Sequence, residues 1–285
     1  GYAENLDADN GWFDLSTNFV NEQSVIMNSA IDRAYVETVL GDFTATVGRQ
    51  RINWGRSFVW NANDIFNTYS FFDFDYAERP GTDAVRLQYY PGLSTTVEFA
   101  ANVDSAELVT AAALVRFNAL GYDWQFIAGS LKEEDWVAGF GFEGNIKSVA
   151  MRGEASYFHP QENAADTSGM WLASIGFDYS FESQLFVQTE FLFANLPDTG
   201  DAGSFMEFYA GPMSVKKMSF TEFSWFAQAS YPITPLLSLS VSGMYYPGIS
   251  GYYAGPSLSF SLKDNLDFSI FAQTFSGTTT SSFPF

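Results

Sequence analysis

Residues 44–54 read TATVGRQRINW, residues 55–81 read GRSFVWNANDIFNTYSFFDFDYAERPG, and residues 83–90 read DAVRLQYY. The outer two stretches have strand character and the middle one does not. Strand side chains alternate with period two, so the first stretch puts Val47, Arg49, Arg51 and Asn53 on one face. Thr46, Gly48, Gln50, Ile52 and Trp54 then take the other. The middle stretch mixes aromatics with Asn, Asp, Arg and Glu too irregularly for a strand, and a sharp turn at Pro91-Gly92 follows the second strand. A strand, a long connection, a return strand and a tight turn form the unit that the rest of the chain repeats.

Working outward, strand-like segments recur at 12–20, 31–40, 95–103, 108–120, 122–130, 136–143, 149–157, 171–180, 185–193, 220–231, 236–244, 257–262 and 266–273. A polar loop separates the first two, near 21–29. Connections alternate between short ones (41–42, 91–92, 121, 145–147, 182–183, 234–235, 263–265) and generally longer ones (55–82, 158–168, 195–218). Short turns at one end and long loops at the other are the asymmetry of outer-membrane barrels. Aromatic side chains gather at strand ends: Trp12, Trp54, Tyr89, Tyr122, Trp124, Trp136, Trp171, Tyr179, Tyr231, Tyr245 and Tyr246. Amphipathic rings suit a membrane–water interface. The expectation is an all-β chain, a transmembrane antiparallel up-and-down β-barrel of about 14–16 strands occupying residues 1–285 as one unit. A water-soluble sheet would also alternate, but would carry more Lys and Glu on its outer face. The readable segments come to about 15, and a barrel cannot leave an edge open to lipid, so a closing strand beyond the C-terminus is expected.

Composition narrows the function classes. Lys and Arg number 13 against 33 Asp and Glu, and the net charge of −20 argues against a nucleic-acid partner. With no cysteine and a single histidine, His159, thiolate metal sites, histidine clusters and Ser-His-Asp chemistry are out of reach. Neither cofactor, metal nor enzymatic activity is expected; acidic tips such as Glu133, Glu134 and Asp135 read as solvated loop charge. No apolar run reaches the roughly 20 residues of a membrane-spanning helix. Aromatics at 18%, including 30 Phe, suit a sheet that shows apolar side chains to something other than water. No signal peptide is visible, and Gly1 reads as a mature or trimmed start.

Alternation is expected to send Arg33, Glu37, Arg49, Arg51, Arg86, Gln88 and Glu98 to one polar face on neighbouring strands, the face that lines a barrel lumen. Two readings fit: a ladder of ion pairs that stiffens the wall, or a constriction that binds or filters anionic solute through the guanidinium fork. Segment 55–82 is the longest connection and is anchored by many aromatics. It is expected to fold into or over the lumen, with Trp60, Asn61, Asn63, Asp64, Asp73, Asp75, Glu78 and Arg79 narrowing it.

The runs VGRQRINWG (47–55), VWNANDIFN (59–67) and ERPGTDAVR (78–86) resemble porin-like outer-membrane families, nearest to alginate-export channels and phosphate-selective porins. The W-G, N-D and R-P-G elements are closer to barrels of the Bacteroidetes type. Matching positions are Arg49, Arg51, Trp54, Gly55, Asn61, Asn63, Asp64, Asn67, Arg79, Pro80 and Gly81. The resemblance implies a Gram-negative outer-membrane barrel with a polar lumen. Its expected partners are membrane lipid, small solutes or ions and other outer-membrane proteins or lipoproteins, and its expected role is passive passage, with the acidic surface favouring cations. The competing expectation is a plugged scaffold barrel whose loops, notably 55–82 and 195–218, dock partner proteins.

Overall fold

The computed structural model describes residues 9, 11–22, 25–68, 81–162, 164–165, 167–195, 214–219 and 221–277. Among the described residues, strands β1 (Ser16–Glu22) and β2 (Val25–Ala30) pair antiparallel only with each other. Next come β3 (Ala34–Leu40), β4 (Phe43–Gln50), β5 (Thr82–Gly92), β6 (Thr95–Val103), β7 (Val109–Ala119) and β8 (Tyr122–Leu131). The series continues with β9 (Asp135–Ile146), β10 (Val149–Pro160), β11 (Met170–Ser180), β12 (Phe186–Ala194), β13 (Phe223–Thr234) and β14 (Leu237–Tyr246). It ends with β15 (Gly251–Lys263), β16 (Leu266–Phe271) and β17 (Thr274–Ser276).

From β3 to β16 every strand pairs antiparallel with its neighbours in sequence, so the sheet is one uninterrupted meander. Strand β17 also pairs β15, which makes β16 and β17 two parts of one edge strand. Among the described residues no ladder joins β3 to β16.

Several boundaries differ from the sequence reading, and three of the differences have a local reason. The expected polar loop at 21–29 contains β2, whose apolar start (Val25, Ile26, Met27) was masked by flanking Asn, Gln and Ser. The strand expected to reach residue 54 stops at Gln50, because residues 51–54 leave the ladder to bury Ile52 and Trp54 completely. Strand β15 begins six residues before 257, running through Gly251, Gly255 and Pro256, residue types that punctuate strands more often than they extend them.

The two faces of the sheet are inverted relative to a water-soluble protein. Val47, Val85, Leu87, Phe99, Val115, Phe126, Trp171, Phe191, Trp225 and Val241 stand exposed on one face. The opposite face buries Glu98, Gln125, Glu154, Ser174, Gln188 and Glu190. Residues 51–68 pack against this second, inner face. Apolar side chains left on the outside of a complete sheet require an apolar solvent, which the bilayer core supplies. Val115→Arg, on the outward face near the middle of β7, is therefore expected to lower stability in lipid vesicles by about 2–4 kcal/mol. Urea titration of the vesicle-embedded barrel reads this out.

Candidate functional site: an inward segment held by buried wall carboxylates

Residues 51–68 contain no helix or strand, so their backbone polar groups must find partners elsewhere or stay costly. The inner wall supplies the partners. Glu190 on β12 accepts from three successive backbone N–H groups: Phe58 (2.9 Å), Val59 (3.1 Å) and Trp60 (2.7 Å). Consecutive N–H groups converging in this way form an anion-binding concavity, here wrapped around a side-chain carboxylate. Glu154 on β10 also accepts from three backbone N–H groups, those of the adjacent Arg56 and Ser57 (2.7 Å) and that of Asn63 (2.8 Å). Glu98 on β6 accepts the Trp54 indole N–H at 2.6 Å. The three carboxylates are 1%, 3% and 0% exposed for Glu98, Glu154 and Glu190, so each bond is made away from water, where charge-assisted hydrogen bonds are strongest.

Neutral contacts complete the seat. The Gln125 amide donates to the Trp54 carbonyl at 2.7 Å, and the Ser57 and Ser174 hydroxyls pair at 2.8 Å. Asn63 donates to the Phe140 carbonyl (3.0 Å) and accepts from the Ser156 hydroxyl (2.8 Å). Room for Asn63 comes from Gly139 and Gly141 on β9, where a Cβ would stand 2.8 and 3.0 Å from its amide atoms. Between these polar contacts Ile52, Trp54, Val59, Ala62, Ile65 and Phe66 join the apolar core. Trp54 meets Phe66 edge-on, with ring centroids 4.9 Å apart.

Toward the short-turn ends of the strands the inner face carries charge that stays partly hydrated. Arg86 is bidentate on Glu98 (2.7 and 2.8 Å), and Gln88 donates to the same carboxylate at 2.9 Å. Arg56 pairs with Glu143 at 3.1 Å, and Arg152 pairs with Asp178 at 2.8 Å while its guanidinium carbon lies 3.7 Å above the Phe58 ring centre. Arg116 donates to the neutral Gln125 amide at 2.8 Å. On β13 and β14 the same face turns uncharged, as where Gln188 of β12 meets Gln228 and Gln228 meets Ser240.

The expected shared face for the seven candidate lining residues needs correction. Arg86, Gln88 and Glu98 do meet on the inner face, and Glu37 accepts there from Thr46 at 3.3 Å. Arg33 precedes β3 and is exposed. Arg49 lies on the outer face. The β4–β5 ladder sets Thr46 opposite Arg86 and Arg49 opposite Asp83, and period two then puts Arg49 with Val47 and Val85. It is buried nonetheless, because residues 9 and 11–15 strap across it. Arg49 pairs with Asp83 (2.8 Å) and Asp9 (2.5 Å), and the Phe13 N–H donates to Asp83 at 2.9 Å. Arg51 has left the sheet, and its Nε is buried without a hydrogen-bond partner. Trp54, expected in an interfacial girdle, is fully buried inside. Trp60, Asn61, Asn63 and Asp64 all belong to the inward segment and are buried; Asp73, Asp75, Glu78 and Arg79 lie outside the described residues.

Glu154, Glu190, Arg56 and Gln125 were not singled out from the sequence. The available signal was a glutamate in mid-strand on the polar face of 149–157 and of 185–193, with no basic residue directly opposite.

No protein-family model matches the chain, and no curated protein sequence does. Solved structures do match. The crystal structure of Pseudomonas aeruginosa OccK10 (OpdN) superposes with a TM-score of 0.60 at 10% identity, over 85% of this chain and 77% of that one. OccK11 (OpdR) of the same organism gives 0.57 at 12% identity, over 90% and 79%. The outer membrane protein OprD gives 0.57 at 9%, over 88% and 75%. The fold is that of an outer-membrane β-barrel. In the barrel the inner face is the lumen wall, and residues 51–68 pack against it. Glu190→Gln keeps the shape but loses the charge, so it is expected to weaken seating of the segment by about 2 kcal/mol. Faster hydrogen exchange at Phe58, Val59 and Trp60, with the strand amides unchanged, checks it.

Proposed function

We propose that this barrel is an outer-membrane channel of Gram-negative bacteria for passive diffusion of small hydrophilic solutes or ions, narrowed by residues 51–68. The observation that carries the reading is the contrast between two inner layers. At the level of the segment, wall and loop side chains are buried together. Beyond it, Arg86, Glu143, Arg152 and Asp178 form ion pairs while keeping 22%, 36%, 14% and 17% of their side-chain surface exposed. Charged pairs at the mouth of a narrowing hold water and solute without a tight site, which is what conduction needs. The likeness to porin structures, some of the OprD type, supports the same reading.

Selectivity in this reading is set by the groups around the narrowing rather than by the acidic surface. Arg56 and Arg86 lie close enough to act electrostatically on Arg116, whose own hydrogen bond goes to a neutral amide. Anion preference of the alginate-export or phosphate-selective kind would rest on Arg56, Arg86 and Arg116. Arg49, which carries part of that resemblance, faces outward and cannot contribute.

The test is single-channel conductance in a planar bilayer, with the reversal potential measured under a KCl gradient. Discrete openings are expected, and Arg116→Gln is expected to move the reversal potential toward cation preference without changing heat-modifiable gel migration. Folded protein that conducts nothing would sink the channel reading in favour of a plugged scaffold that docks partner proteins.

A further inference from the structure

Asp64 is the one carboxylate of the inward segment whose role the seating does not explain. Its side chain is 0% exposed, and among the described residues neither oxygen has a hydrogen-bond partner of good geometry. The backbone N–H groups of Trp54 and Asn67 approach it, but poorly aligned. Its own main chain is tied down: the N–H donates to the Asn61 carbonyl (3.1 Å), and the carbonyl accepts from the Thr68 hydroxyl (2.7 Å). A buried carboxylate with no donors is expensive when charged and cheap when neutral. Two charged groups bear on it: Glu154 from β10, which opposes its ionisation, and Arg51 of its own segment, which favours it.

We propose that Asp64 is an acid-strengthened latch: protonated, it lets residues 51–68 stay seated across the lumen, and its ionisation on release favours the unseated, more open pore. This rests on the channel reading above. Burial pushes the seated Asp64 carboxyl up to about 8, Glu154 adds to the rise, and the Trp54 and Asn67 amides and Arg51 offset only part. Once released into water the group returns to its ordinary value of 3.8. Between those two values unseating expels a proton, so rising pH favours release by up to about tenfold per unit. Below the window both states are protonated and the effect vanishes; above it both are ionised and the penalty is constant. Glu154 and Glu190 are buried beside the same segment, so it is the Asp64→Asn variant, and not the direction of the response, that assigns the effect to Asp64.

The experiment is hydrogen exchange on the whole folded protein, following the amides of residues 56–63 between pH 5 and 9 after correction for intrinsic exchange. Conductance is measured in parallel over the same range. Wild-type protection is expected to fall by several-fold to tenfold per pH unit while the open fraction rises. Asp64→Asn is expected to abolish the slope and to hold at pH 8 the protection and low conductance that wild type shows at pH 5. Arg51→Gln, which keeps the titrating group but removes the cation favouring its charged form, is expected to extend the slope above pH 8, so a misfolded Asp64→Asn leaves the test intact. A wild-type slope that is flat or reversed, or one that survives in Asp64→Asn, overturns the latch. Protection that changes while a measurable conductance stays constant overturns the gating role. A bilayer silent at every pH, with the exchange slope present, sinks the channel reading and keeps the latch.

Discussion

A stretch of chain without helix or strand has been folded inside a barrel, and every one of its backbone donors must be accounted for. Glu154 and Glu190 meet that demand with three N–H groups apiece, and Glu98 anchors the Trp54 ring. The rest of the interior depends on this arrangement. A buried carboxylate without partners would cost several kcal/mol, and so would six unpaired amides. Brought together they offset one another, and the packing of Ile52, Trp54, Val59, Ile65 and Phe66 then fills the space between.

The same logic explains why the segment sits on one part of the wall. Strands β6 to β12 supply the acceptors and the glycine seat at Gly139 and Gly141, whereas β13–β16 offer mostly serine and glutamine. Charge follows suit, with arginine–carboxylate pairs clustering beside the segment and the serine wall left neutral. Asp64 stands apart as a carboxylate given burial without donors, a local inconsistency of the kind that marks switches more often than scaffolding.

Arginine is divided between two jobs that look alike along the chain. Arg86 is held on the lumen wall by a bidentate contact with Glu98. Arg49, three residues from Thr46, which faces Arg86 across the ladder, falls on the outward face and is usable there only because Asp83, Asp9 and the Phe13 carbonyl enclose it. An unpaired guanidinium on the lipid side would be costly, and the strap removes that cost.

Alternation, turn placement and the uneven connection lengths determined the barrel class from the sequence alone, because a two-residue period and an apolar outward face are local properties. The polar grouping of Arg86, Gln88 and Glu98 was legible for the same reason. Which face Arg49 takes was decided by the β4–β5 register, and where Trp54 ends up by the early departure of the chain from β4; both depend on partners far away in sequence. Glu154 and Glu190 as anchors could be known only from the tertiary structure. Their donors lie about 90 and 130 residues earlier, in a segment with no periodicity of its own.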